Sequence, residues 1–98
     1  MAVEHLVLIE TNDDVTSEQV EEILQATHGL KGKIPGLLDV KIGRNFTDRA
    51  PHISVAAVIT LADKDALAAY GPHPVHQELL KILMPAAKNV TIVDIEVE

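Results

Sequence analysis

His52-Ile53-Ser54-Val55-Ala56-Ala57-Val58-Ile59-Thr60-Leu61 is the stretch on which the fold turns. Side chains of an extended chain alternate between two faces. Ile53, Val55, Ala57, Ile59 and Leu61 therefore share one face, while Ala56 and Val58 lie on the other. Both faces are apolar, as in a strand that runs through the middle of a sheet with cover on each side. Residues 3–10 read the same way, with His5, Val7 and Ile9 on one face and Leu6 and Leu8 on the other. Residues 37–43 differ, because Leu38, Val40 and Ile42 alternate with Asp39 and Lys41. One polar face suits an edge strand. Residues 90–97 supply a fourth strand.

Helices fill the two long gaps. Thr16-Ser17-Glu18-Gln19 has the form of a capping box, with Thr16 as N-cap. Val20, Ile23, Leu24, Thr27 and Leu30 follow as a helical stripe, and Gly29 and Gly32 mark its end. Ile34-Pro35-Gly36 turns into the second strand, and Gly43 to Pro51 is a polar loop before the third. Asp63 caps a short helix through Tyr70. His73-Pro74 restarts a helix that runs to about Met84, with Pro74 where its missing N–H costs least, and Pro85 and Asn89 close it. The order is β-α-β-β-α-β, an α+β ferredoxin-like domain over residues 1–98 with antiparallel sheet order 4-1-3-2. Helices cover one face of such a sheet. The apolar second face of the central strands predicts cover by the same sheet of a second copy, a sheet-on-sheet homodimer.

Charge and composition exclude several classes. The net charge is −7, with eight scattered Lys and Arg, so neither nucleic acid nor an anionic membrane is expected as a partner. No run reaches the roughly 20 apolar residues that span a bilayer, and Met1 to His5 carries no basic leader. There is no cysteine, hence no disulfide framework or thiolate chemistry. A cytoplasmic protein is the expectation.

Tyr70-Gly71-Pro72-His73-Pro74-Val75-His76 concentrates the proton-active groups of a chain with one Tyr and one Phe. His76, Leu79, Leu80 and Leu83 are spaced i, i+3, i+4 and i+7, which turns the imidazole toward the sheet. A neutral imidazole in an apolar pocket is a competent general base, and it is equally at home as a hydrogen-bonded core residue. Tyr70 shares the buried side of Leu67, and its phenol needs a partner, which a ligand carbonyl can be. His5 meets His76 across a cleft if its face of the first strand is the helix-covered one. His73 reads as a cap. His73 and His76 lack the further ligands of a zinc site, so no metal and no cofactor is expected.

His5, Ile34-Pro35-Gly36, Gly43-Arg44-Asn45 and the Tyr70–His76 heptad together resemble the stress-responsive A/B barrel family of the dimeric α+β barrel superfamily. The resemblance runs over nearly the whole chain. It implies a homodimer whose two sheets close into a barrel, with further assembly in some members. Catalytic relatives are plant polyketide cyclases, which close a poly-β-keto chain by aldol condensation without a cofactor. It implies His76 as base, with Tyr70 and His5 lining the pocket. A first-helix tyrosine of those cyclases falls near Thr27, and several of their aromatic pocket residues have small or aliphatic counterparts, which implies a differently shaped cavity. Three functions follow as expectations. The first is cofactor-independent acid–base chemistry, cyclase- or lyase-like, on a small apolar carbonyl compound. The second is a non-catalytic stress-related or ligand-binding dimer. A cofactor-free monooxygenase, by analogy of fold, is the third.

Overall fold

Strands and helices follow one another in the predicted order across residues 1–98, which the computed structural model describes throughout. The strands are β1 (Val3–Thr11), β2 (Leu37–Arg44), β3 (Val55–Leu61) and β4 (Ala87–Glu96). The helices are α1 (Ser17–His28), α2 (Lys64–Tyr70) and α3 (Pro74–Leu83). All pairs are antiparallel and the sheet order is β2-β3-β1-β4, which is 4-1-3-2 read from the other edge. The two strands with two apolar faces are the central ones.

Local chemistry explains the boundaries. At α1 the Thr16 hydroxyl accepts from the Gln19 N–H at 3.1 Å while the Gln19 side chain accepts from the Thr16 N–H at 2.8 Å, the reciprocal pair of a capping box. The third strand starts at Val55 and not at His52. Ile53 N–H instead donates to the Ala50 carbonyl, and the Asn45 side chain holds the Ile53 carbonyl, so residues 52–54 finish the preceding loop. The last strand starts earlier than its apolar run suggests. A single 3-10 turn, Met84–Ala86, follows α3, since Pro85 has no N–H with which to extend it. Asn12 N–H then donates to the Ala86 carbonyl at 2.8 Å, tying the turn to the end of β1. Asn89 consequently lies within β4 and does not close the helix.

Register decides which side chains meet. His5 stands opposite Ile59 on β3 and Asp94 on β4, and Leu6 opposite Val58 and Val93. On the helix side, Val7, Ile9, Val55 and Ala57 pack with Ile23, Leu24 and Leu83, and Val3, Ile59 and Leu61 pack with Leu30, Tyr70 and Leu79. Each fully buried aliphatic side chain contributes about 1.5–3 kcal/mol. The other side carries Leu6, Leu8, Ala56, Val58, Val93 and Ile95 with no cover from this chain. β4 is exposed along most of its length, so the helix layer stops short of it.

Gly36 shows how tightly the layers fit. Its φ is +83°, and a Cβ built there lies 2.6 Å from the Ala66 Cβ on α2. Gly32 has a similar φ of +84° with nothing within 4 Å. Left-handed backbone costs an L-residue about 1–2 kcal/mol, and overpacking adds about 1–3 kcal/mol. In thermal unfolding, Gly36→Ala is therefore expected to lower stability well beyond Gly32→Ala. Equal losses at the two sites would show that α2 yields freely.

Candidate functional site

The turn between α2 and α3 is built by the heptad. α2 ends at Tyr70, and His73 N–H donates back to the Tyr70 carbonyl at 3.2 Å. The His73 ring accepts from Val75 N–H at 3.1 Å, so His73 is the N-cap of α3, and Pro74 follows in the first turn. His76 is then presented from the first turn of α3. Its Nδ1 lies 2.8 Å from the Gly71 carbonyl oxygen. A carbonyl only accepts, so Nδ1 carries the hydrogen, and Nε2 of the neutral ring is left with a free lone pair.

His5, Tyr70 and His76 come together. The Tyr70 ring lies between the two imidazoles, with centroids 5.4 Å from His5 and 4.3 Å from His76. Tyr70 is only 2% exposed and His5 7%. The His5 Nδ1 lies 2.5 Å from Asp94 Oδ1, across the register pair of β1 and β4. The carboxylate is an acceptor, so this imidazole too is held through Nδ1, with Nε2 free. Desolvation raises the Tyr70 phenol from 10.0 to about 12, with no hydrogen-bonding or charged group of the protein contributing. No buried side-chain oxygen or nitrogen lacks a partner. The phenol is thus buried by its ring and open at its hydroxyl, toward the cavity.

That cavity has a volume of about 390 Å³, and 13 of its 17 lining residues are hydrophobic, so it suits an apolar ligand. It lies between the α2–α3 segment and the sheet, lined by residues of β1, β3 and β4. His5, Val7 and Ile9 line its floor, and two-residue steps along a strand place His5 and Ile9 about 13 Å apart. The polar groups gather at the His5 end, whereas Leu83, Met84 and Val90 line the far part. Ile92 and Met84, 54% and 56% exposed, form its rim. Thr27 also borders the cavity, but its hydroxyl donates to the Ile23 carbonyl at 2.7 Å and is already engaged.

Sequence reasoning missed Asp94 and the Gly71 carbonyl. Asp94 interrupts an apolar strand, which was its one signal, but only the β1–β4 register joins it to His5. Asp94→Ala is expected to release the His5 ring from a single Nδ1–H tautomer into a mixture, read by long-range nitrogen–proton NMR. An unchanged tautomer would show that Asp94 does not position the ring. No group of three or more His, Cys, Asp or Glu is arranged to hold a metal ion, and no helix is long and apolar enough to cross a membrane.

Comparison with known proteins gives a consistent picture. The sequence model of the stress responsive A/B barrel domain matches residues 3–97. Olivetolic acid cyclase of Cannabis sativa is 28% identical over 78 residues, covering 78% of this chain and 77% of that protein. The stress-response A/B barrel domain-containing protein HS1 of Arabidopsis thaliana is 26% identical over 94 residues, covering 94% of this chain and 86% of its own length. Among solved structures, a dimeric ferredoxin-like protein of unknown function from Thermobifida fusca superposes with a TM-score of 0.89. It is 31% identical, and the match covers 99% of this chain and 92% of that one.

Proposed function

This chain belongs to the stress-responsive A/B barrel domain family, and from that premise we propose that it is a homodimeric, cofactor-independent acid–base catalyst acting on a small apolar carbonyl compound. The observation that carries this reading is the pairing of two complementary groups at one end of the cavity. His76 has its Nδ1–H bound to the Gly71 carbonyl, leaving Nε2 as a base. The Tyr70 ring lies beside the His76 ring, centroids 4.3 Å apart, and its hydroxyl is a donor without a protein partner. In the first step Nε2 takes a proton from the carbon next to the substrate carbonyl. The C–H electron pair moves into the carbonyl, and the enolate oxygen accepts a hydrogen bond from Tyr70. His5, oriented by Asp94, borders the same space as a helper. The enolate carbon then attacks a second carbonyl, whose oxygen takes the proton held by His76, or the enolate expels a leaving group from the adjacent carbon, which departs with the C–X electron pair and takes that proton itself. The first outcome is cyclase-like and the second lyase-like.

The name of the Cannabis relative supports the cyclase form. The homodimer is supported by the uncovered apolar sheet face and by the dimeric description of the Thermobifida protein. A second reading, ligand binding without turnover, draws on the mostly apolar lining of the cavity. Deuterium exchange separates the two. In heavy water the protein should accelerate exchange at the α-carbon of at least one of butanone, cyclohexanone and ethyl acetoacetate, followed by proton NMR. Exchange at the buffer rate for all of them, with ligand-induced shifts at Tyr70, would leave only the binding role.

A further inference from the structure

Phe46, the chain's one phenylalanine, is 95% exposed. A single exposed apolar residue needs no explanation in itself. Its setting does. The neighbouring Asn45 braces the whole β2–β3 loop. Its backbone N–H donates to the Ser54 carbonyl at 2.8 Å, and its Nδ2 donates to the Ile53 and Ala50 carbonyls at 2.9 and 3.2 Å. Its Oδ1 accepts from Thr47 N–H at 3.2 Å, so Phe46 is bracketed on both sides. The ring is presented from a fixed loop, and little ordering remains to oppose its docking. Phe46 also borders a concavity with Leu8 and Ala56, two residues of the uncovered sheet face. The ring therefore adjoins the apolar strip of the central strands, while β2 turns the charged Asp39 and Lys41 to the same face.

Area points to a second copy as the occupant. Four strands about 4.8 Å apart and about 25 Å long make a face of roughly 480 Å². A standard interface buries about 800 Å² on each partner. The flat face lies below that figure, and an aromatic side chain, at about 150–250 Å², brings each side to roughly 630–730 Å², near the standard size. In a two-fold dimer each partner presents the same patch, so one ring adds to each partner's side.

We propose that Phe46 is the anchor of the sheet-to-sheet dimer, each copy's ring seating on the apolar sheet face of the other; this rests on the homodimer reading above. The test is the dissociation constant, measured by sedimentation over a dilution series. Phe46→Ala is expected to weaken the dimer by at least about 100-fold, with Phe46→Leu intermediate and the circular dichroism of both unchanged. Because the chain has no tryptophan, Phe46→Trp adds a unique reporter. Its emission should be blue-shifted in concentrated protein and move to the red on dilution. A wild-type dimer that Phe46→Ala leaves equally tight, or an indole emission from the Phe46→Trp variant that is solvent-like at all concentrations, overturns the anchor alone. A wild-type chain that stays monomeric in concentrated solution overturns the homodimer reading, and the anchor with it.

Discussion

Replacing His76 by alanine should cut α-proton exchange by about 100- to 10,000-fold, the usual range for a positioned general base. The size follows from how completely the ring is prepared. The Gly71 carbonyl fixes the tautomer, so no ring flip or proton rearrangement precedes the reaction. The cavity around it is apolar, so the lone pair does not have to be stripped of a dense water shell. The fold should tolerate the change. His76 is half-buried, and the Gly71 carbonyl keeps a second donor in Gln77 Nε2 at 2.8 Å. Losing one hydrogen bond costs about 0.5–1.5 kcal/mol, a few degrees in the melting temperature for a chain of this length. His76→Gln sharpens the test, because it retains polarity without a basic nitrogen. Both variants should lose exchange while melting near wild type. If either retains exchange at the wild-type rate, the base is another group, and His5 is the next to replace.

The sequence made the architecture legible because each element carried its own signal. β3 announced a central position through two apolar faces, and α1 announced its start through Thr16 and Gln19. Those signals are local and the structure obeys them. The ends of β3 and β4 went astray where distant groups intervened, namely Asn45 on the Ile53 carbonyl and Asn12 on the Ala86 carbonyl. The candidate site divides along the same line. Helical spacing turned His76 inward and left His73 as a cap, both readable from the heptad. Asp94 lies 89 residues from His5 in the chain, and no spacing rule connects them. The opening between α3 and β4 was equally hidden, since it arises where the helix layer ends before the sheet does.

Tyr70 should titrate with a midpoint near 12 in place of 10.0, and the measurement is unambiguous because it is the chain's one tyrosine and there is no tryptophan. Phenolate absorbance in the near ultraviolet follows this single group. The cause is burial, which penalises the charged form. The sign for stability follows. Between pH 10 and 12 the unfolded chain releases the phenolic proton while the folded chain keeps it. The stability this group contributes is therefore complete below pH 10 and is lost as pH rises to about 12. Two pKa units correspond to about 2–3 kcal/mol over that window. Tyr70→Phe should remove this component of the alkaline decline. In the neutral range the phenol holds its proton throughout, as a donor to an enolate must, and losing such a donor typically costs about 100- to 1000-fold in rate. Tyr70→Phe is thus expected to reduce exchange strongly while the cavity still binds ketones. A phenol midpoint near 10.0 would mean that water reaches the hydroxyl freely, and an enolate beside it would then gain little from the protein.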